Sequence, residues 1–205
     1  DIAAPQAILL RSHKLTVEES GDALLAVGRA GAGVNNIPVA ELSDRGVVVF
    51  NTPGANANAV KELVMAGLLL SQRGIVQGID YVNQIDADQE KSALNAQVEA
   101  AKKQFKGSEL NGRTLGIVGL GAIGSMVADM ALGLGMQVLG YDPALSVEAA
   151  WRLSSQVQRM ENMAALLAKS DLVSLHVPAL PETEGLINAE PVSYTHLRAH
   201  ETPMY

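Results

Sequence analysis

Apolar and polar positions along this chain follow two periods, and the changes between them lay out its secondary structure. Short apolar runs at Ala7–Leu10, Leu24–Val27 and Val47–Phe50 each end in polar or Gly-rich residues, as buried parallel strands do. Pro38–Arg45, between the last two, has Pro at a first helical position and Gly46 just past its end, which predicts a helix. Asn51-Thr52-Pro53-Gly54 is a turn cluster, and a helical pattern follows from Ala57 to Arg73. Strands alternating with helices predict parallel pairing and an α/β layer fold.

From Gly74 to Lys106 the text becomes Gln-, Asp-, Lys- and Ala-rich and contains no Pro, which predicts a solvated helical arm between two domains. A second α/β unit then opens with Thr114–Val118 and runs through Gln137–Tyr141 and Leu172–Leu175. No internal repeat of fixed period interrupts this order.

Composition narrows the function classes. The 205 residues are 48% hydrophobic, enough to fill real cores, and carry a net charge of −7, which argues against nucleic acid as a partner. No apolar run is long enough to span a bilayer, so no membrane is expected. The first residues, Asp1-Ile2-Ala3-Ala4-Pro5, show no secretory signal, and the absence of Cys excludes disulfides, thiol catalysis and thiolate metal sites. A soluble, acidic, cytoplasmic protein is expected.

Gly119-Leu120-Gly121-Ala122-Ile123-Gly124 reads G-x-G-x-x-G. The pattern is common in a chain with 19 Gly, and its setting makes it informative. A strand-like run leads into Gly119, and Ile123, Met126, Val127, Met130 and Leu134 then repeat at helical spacing until Gly135. Gly119 permits the tight turn, Gly121 lets the backbone approach a pyrophosphate, and Gly124 lets the helix pack close to its strand. Asp142-Pro143 ends the next strand, and Asp142 stands 21 residues beyond Gly121, where an acid takes the adenosine ribose hydroxyls. A carboxylate there repels a 2′-phosphate, and no basic residue follows until Arg152, which favours NAD over NADP. The alternative is a Gly-rich turn that binds nothing.

Two arginines close strands. Arg11-Ser12 follows Ala7–Leu10, and Arg29-Ala30-Gly31-Ala32-Gly33 follows Leu24–Val27. Ligands of open parallel sheets lie beyond the carboxyl ends of the strands, where an arginine fork and a Gly-rich loop suit phosphate or carboxylate. Each arginine taken singly could equally be a surface ion pair.

These residues carry a family resemblance. Arg29–Ile37 and Asn51-Thr52-Pro53-Gly54-Ala55-Asn56-Ala57-Asn58 resemble substrate-domain signatures of the D-isomer-specific 2-hydroxyacid dehydrogenases. Gly116–Gly124, Tyr141-Asp142-Pro143 and Ser174-Leu175-His176-Val177-Pro178 are similar to that family's nucleotide domain in order and spacing. Leu145–Trp151 resembles the branch that oxidises D-3-phosphoglycerate to 3-phosphohydroxypyruvate, the first step of serine biosynthesis.

The resemblance implies two doubly wound parallel-sheet domains of α/β class, both incomplete. A flavodoxin-like substrate domain would occupy 1–73, a helical arm 74–105 and a Rossmann NAD domain 106–190. Arg11, Ser12 and Arg29, with the Gly31 and Ala32 backbone, would grip a small anionic substrate. Gly119, Gly121, Ala122, Ile123 and Gly124 would hold the pyrophosphate, and Asp142 with Pro143 the ribose. His176, Val177 and Pro178 would line the adenosine side, with Thr183 nearby; His176 itself is expected to be structural. Ala179-Leu180 departs from the Leu-Thr usual there. Homo-oligomerisation through the arm and nucleotide-domain helices is also implied. A parent acting on another 2-hydroxy acid, or a non-catalytic NAD-binding regulator, remains an alternative.

Residues 191–205 do not continue the pattern. Val192–Thr202 resembles one translation frame of a sequencing adapter, so the tail is expected to be non-native. His196 and His200, four residues apart and followed by Glu201, are therefore not read as a metal site. The family's catalytic Arg, Glu and His would lie further downstream. No catalytic residue is assigned within this chain, and the expectation for it alone is weak or no NAD binding and no turnover.

Overall fold

Among the described residues of the computed structural model every strand pairing is parallel, and the strands fall into two separate sheets. The structure describes residues 4–86 and 88–188; the tail 191–205, with His196, His200 and Glu201, lies outside the described residues. The chain divides into two compact units, residues 1–60 and 61–205.

The first unit contains β1 (Ala7–Leu10), β2 (Ala26–Arg29), α1 (Val39–Asp44) and β3 (Val48–Asn51), with sheet order β1-β2-β3. Its core forms on one face, where Leu10 and Val27 meet Leu24, Ile37, Leu42 and Val47. On the opposite face Leu9, Gly28 and Phe50 share one register row, and Leu9 is 84% and Phe50 60% exposed. The apolar runs place β2 and β3 slightly early. The ladder extends through Arg29 and Asn51, which are register partners of each other, because backbone hydrogen bonds do not require apolar side chains.

A helix α2 (Ala57–Gln72) crosses the division between the units. The second unit continues with α3 (Ile75–Asn83) and α4 (Lys91–Ala101), followed by a 3₁₀ turn at Lys102–Phe105. Gly74 packs against the Phe105 backbone, with 2.9 Å from its Cβ position to the Phe105 Cα, and the Tyr81 and Phe105 rings lie 5.3 Å apart. These contacts close the arm on itself.

Beyond the arm come β4 (Thr114–Val118), α5 (Ala122–Gly133), β5 (Gln137–Tyr141), α6 (Val147–Arg152), β6 (Val157–Arg159), α7 (Met163–Lys169) and β7 (Leu172–Leu175). The sheet order is β6-β5-β4-β7. Leu115, Ile117 and Val138 pack on Val127, Ala128 and Ala131 of α5, whereas Val118 and Leu139 pack on Leu166 and Leu167 of α7. Helices thus cover both faces, which makes this sheet doubly wound. Gly116 is what lets α7 sit close, since a Cβ there would lie 2.5 Å from Leu166 Cδ2. The short edge strand β6 carries a single apolar residue, Val157, and so leaves no run for a sequence pattern to detect.

Among the described residues no helix is long and apolar enough to cross a membrane. No group of three or more His, Cys, Asp or Glu side chains that could hold a metal ion occurs among them either.

Candidate functional site

The strand order of the second unit creates a crevice. The chain runs outward from β4 through β5 to β6, then returns to the other side of β4 as β7. The loops after β4 and β7 therefore diverge at a topological switch point, where ligands of open α/β sheets bind. Both sequence motifs meet there. Gly119 follows β4 with φ +89°, and a Cβ on it would lie 2.6 Å from the His176 carbonyl oxygen and 3.0 Å from Val177 Cγ1. The glycine turn and the segment after β7 thus touch backbone to backbone, an approach only glycine allows. His176 N–H donates to Val118 O at 2.8 Å, which extends the pairing of β7 with β4.

The other two glycines do different work. A Cβ on Gly124 would run into the Gly119 carbonyl oxygen, so α5 can start this close to its strand only with glycine there. A Cβ on Gly121 would meet nothing within 4 Å. Gly121 is the N-cap of α5 and no side chain caps that end, so Ala122 and Ile123 open the helix beside free space. An uncapped helix start beside an open glycine backbone has the shape and polarity a pyrophosphate requires.

Asp142 joins this cradle. One carboxylate oxygen accepts from Leu120 N–H at 2.8 Å, and the other accepts from Ala144 N–H at 2.9 Å. A carboxylate has about four lone-pair sites, so acceptor capacity remains for ribose hydroxyls. The residues present fit NAD. Ser174 Oγ and His176 Nε2 share a hydrogen bond of 2.8 Å, and burial pushes the His176 pKa down. The Thr183 hydroxyl is engaged within its own loop, donating to Pro178 O and accepting from Leu180 N–H at 2.9 Å. It shapes the segment after Pro178.

In the first unit, Leu10 and Arg29 are register partners at the carboxyl ends of β1 and β2, which sets Arg11-Ser12 beside the Arg29–Gly33 loop. Arg29 folds back over its own loop. A Cβ on Gly31 (φ +153°) would lie 2.8 Å from the Arg29 guanidinium carbon and collide with Nη1. Arg29 Nε is buried without a partner. Residues that the sequence reading left unassigned hold the loop. Thr52 Oγ1 accepts from Gly31 N–H at 2.7 Å, Asn51 Nδ2 donates to Ala32 O at 2.7 Å, and Asn36 Nδ2 donates to His13 O at 2.7 Å. Their signal was available: Asn51 and Thr52 end the third strand, beside the arginine loop.

Comparisons with known proteins agree with this geometry. D-3-phosphoglycerate dehydrogenase of Synechocystis sp. is 38% identical over 187 residues, covering 90% of this chain and 31% of that protein. Hydroxypyruvate reductase of Thermotoga maritima is 37% identical, covering 91% of this chain and 55% of that protein. Among solved structures, D-lactate dehydrogenase of Aquifex aeolicus, complexed with NAD and lactic acid, superposes with a TM-score of 0.73 at 27% identity, covering 93% of this chain and 53% of the other. The chain thus spans between about a third and about half of the proteins it matches. The family model described as "D-isomer specific 2-hydroxyacid dehydrogenase, NAD binding domain" matches residues 75–197. With well over half its length under that model, and a G-x-G-x-x-G turn and Asp142 at the switch point, the chain belongs to the D-isomer specific 2-hydroxyacid dehydrogenases, whose cofactor is NAD.

Proposed function

We propose that the protein carrying this chain oxidises D-3-phosphoglycerate to 3-phosphohydroxypyruvate with NAD. The observation that carries the substrate class is the placement of Arg11 and Arg29 at the ends of adjacent strands, with the Arg29 Nε buried and unpartnered. A 2-hydroxy acid bearing a phosphate presents two anionic groups, and two guanidinium forks suit them. Ser12 and the Gly31 and Ala32 backbone complete this grip in our reading. In the second unit, Gly119–Gly124 hold the pyrophosphate and Asp142 with Pro143 the ribose. The His176-Val177-Pro178 segment lines the adenosine, with Thr183 shaping its loop. Bound NAD supplies the hydride acceptor.

In this reading residues 1–73 are the substrate domain, 74–105 an arm and 106–190 the cofactor domain. The arm exposes Ile75, Val76, Ile79 and Val82 along α3, an apolar face that supports homo-oligomerisation.

Titration of the full-length protein that carries this chain, with NAD and with D-3-phosphoglycerate, tests the two halves separately. Saturable binding of both, with the second lost in Arg29→Gln, is the expected result. The similarity to a hydroxypyruvate reductase supports a second reading, in which the substrate has no phosphate. Binding of D-glycerate in preference to its phosphate would favour that reading.

A further inference from the structure

Asn111-Gly112 is the one Asn-Gly pair in the chain, and it stands just ahead of β4. This dipeptide carries a chemistry of its own. The backbone nitrogen after an asparagine can attack the side-chain amide carbon, and glycine leaves the approach open because it has no Cβ. The new carbon–nitrogen bond closes a five-membered imide. The side-chain nitrogen departs as ammonia, taking the proton that the attacking nitrogen gives up. Water then opens the imide at either carbonyl, yielding aspartate or isoaspartate. No oxidant, reductant or cofactor takes part.

The structure frees one reactant and ties down the other. Asn111 and Gly112 are exposed, and the Asn111 side chain has no hydrogen-bond partner among the described residues, so the amide carbon is open to attack. The nucleophile is held. Gly112 N–H donates to Gly135 O at 2.9 Å, and Arg113 N–H closes the turn on Leu110 O at 3.0 Å. Gly135, at φ +75°, is the residue that stops α5, and its own N–H donates to Leu132 O at 3.0 Å. Gln137 N–H donates to Arg113 O at 2.8 Å, where the register of β4 with β5 begins. Two glycine turns thus hold each other, and the attacking nitrogen is one of the atoms that join them.

We propose that Asn111 is a deamidation site gated by the hydrogen bond from Gly112 to Gly135. The reaction consumes the N–H that Gly135 O holds, so that bond must break before the ring can close. The site is shut while the end of α5 is seated against the start of β4, and it opens when the two part. Each event is permanent. Isoaspartate lengthens the main chain by one carbon in the turn that aligns β4 with β5. Either product also sets a carboxylate beside the C-terminal end of α5, where the helix dipole is negative. The site therefore records past openings of this end of the second sheet.

The test is incubation of the full-length protein that carries this chain at mildly alkaline pH, folded and in guanidinium chloride, with peptide mapping by mass spectrometry at Asn111. Aspartate and isoaspartate should accumulate there in the unfolded chain, and about tenfold or more slowly in the folded one. Gly135→Ala forces a positive φ on alanine and drives its Cβ into Asn111 Oδ1, so it should raise the folded-state rate severalfold. Equal rates in the folded and unfolded protein would overturn the proposal, and so would a lack of isoaspartate at Asn111 in the unfolded chain. A Gly135→Ala variant that is folded by its melting curve and reacts at the wild-type rate would overturn the gate. If that variant does not fold, the ratio of unfolded to folded rates in wild type decides alone.

Discussion

The backbone N–H of Leu120, inside the glycine turn, donates to the Asp142 carboxylate at 2.8 Å. The glycine turn and Asp142 are thereby one hydrogen-bonded unit, set before any ligand arrives. Leu120 is buried, so removing the acceptor strands an N–H away from water. Asp142→Ala should cost about 1–3 kcal/mol of stability and weaken NAD about tenfold or more. Denaturant unfolding and calorimetric titration measure the two effects; unaltered NAD affinity would remove Asp142 from the site.

Gly119 and Gly121 should separate folding from binding. Gly119→Ala forces a positive φ on alanine and drives its Cβ against the His176 carbonyl, so a loss of about 1–3 kcal/mol is expected. Gly121→Ala meets open space at φ −68° and should leave the melting temperature essentially unmoved. Its methyl group would nevertheless stand where the pyrophosphate approaches, so NAD binding should fall. Equal effects of the two variants on stability would contradict this division of labour.

His176 should make stability depend on pH. Burial depresses its folded-state pKa below the ordinary imidazole value of about 6.5, so the unfolded chain binds the proton more readily. The stability this neutral ring contributes is present above the unfolded value. It is lost as pH falls from there through the lower folded value. Melting curves of wild type and His176→Gln across that window should converge toward acid pH, and NMR titration of the ring should show the lowered midpoint directly.

Gly31 should act on substrate through Arg29. Any side chain at position 31 must displace the guanidinium that occupies its Cβ position. Gly31→Ala should therefore weaken D-3-phosphoglycerate binding about tenfold while leaving NAD affinity unchanged, since Gly31 belongs to the first unit and the G-x-G-x-x-G turn to the second. A loss of both ligands together would show that the variant acts through folding.

Leu9 and Phe50 should bind hydrophobic dye. They flank Gly28 in one register row on the uncovered face of the first sheet. Exposed apolar patches of this kind recruit partners or dyes. The double variant Leu9→Thr with Phe50→Thr keeps β-propensity and should lower 8-anilinonaphthalene-sulfonate fluorescence; an unchanged signal would place the dye elsewhere.

Much of the second unit was legible in the chain itself. The boundaries of β4, β5 and β7 match the runs Thr114–Val118, Gln137–Tyr141 and Leu172–Leu175; the centres of β4 and β5 are buried, and buried parallel strands leave near-continuous apolar text. The G-x-G-x-x-G turn was legible because each glycine meets a local steric demand that no other residue meets. The edge strand β6 and helices α6 and α7 were not seen. The Val-Gln-Arg of β6 carries no period, and its pairing with β5 comes from the backbone alone.

What the sequence by itself determined is the set of parts: a parallel α/β chain, a G-x-G-x-x-G turn between a strand and a helix, an acid closing the next strand and arginines at strand ends. All of these depend on contacts within a few residues, or on motifs whose spacing reflects one strand and one helix. Tertiary structure alone decided how the parts meet. Strand order put the segment after β7 against Gly119, and register put the end of β1 beside Arg29 and Arg29 beside Asn51. Residues tens of positions apart become neighbours only through hydrogen-bonded pairing, and pairing is a property of the folded backbone that side-chain text does not spell out.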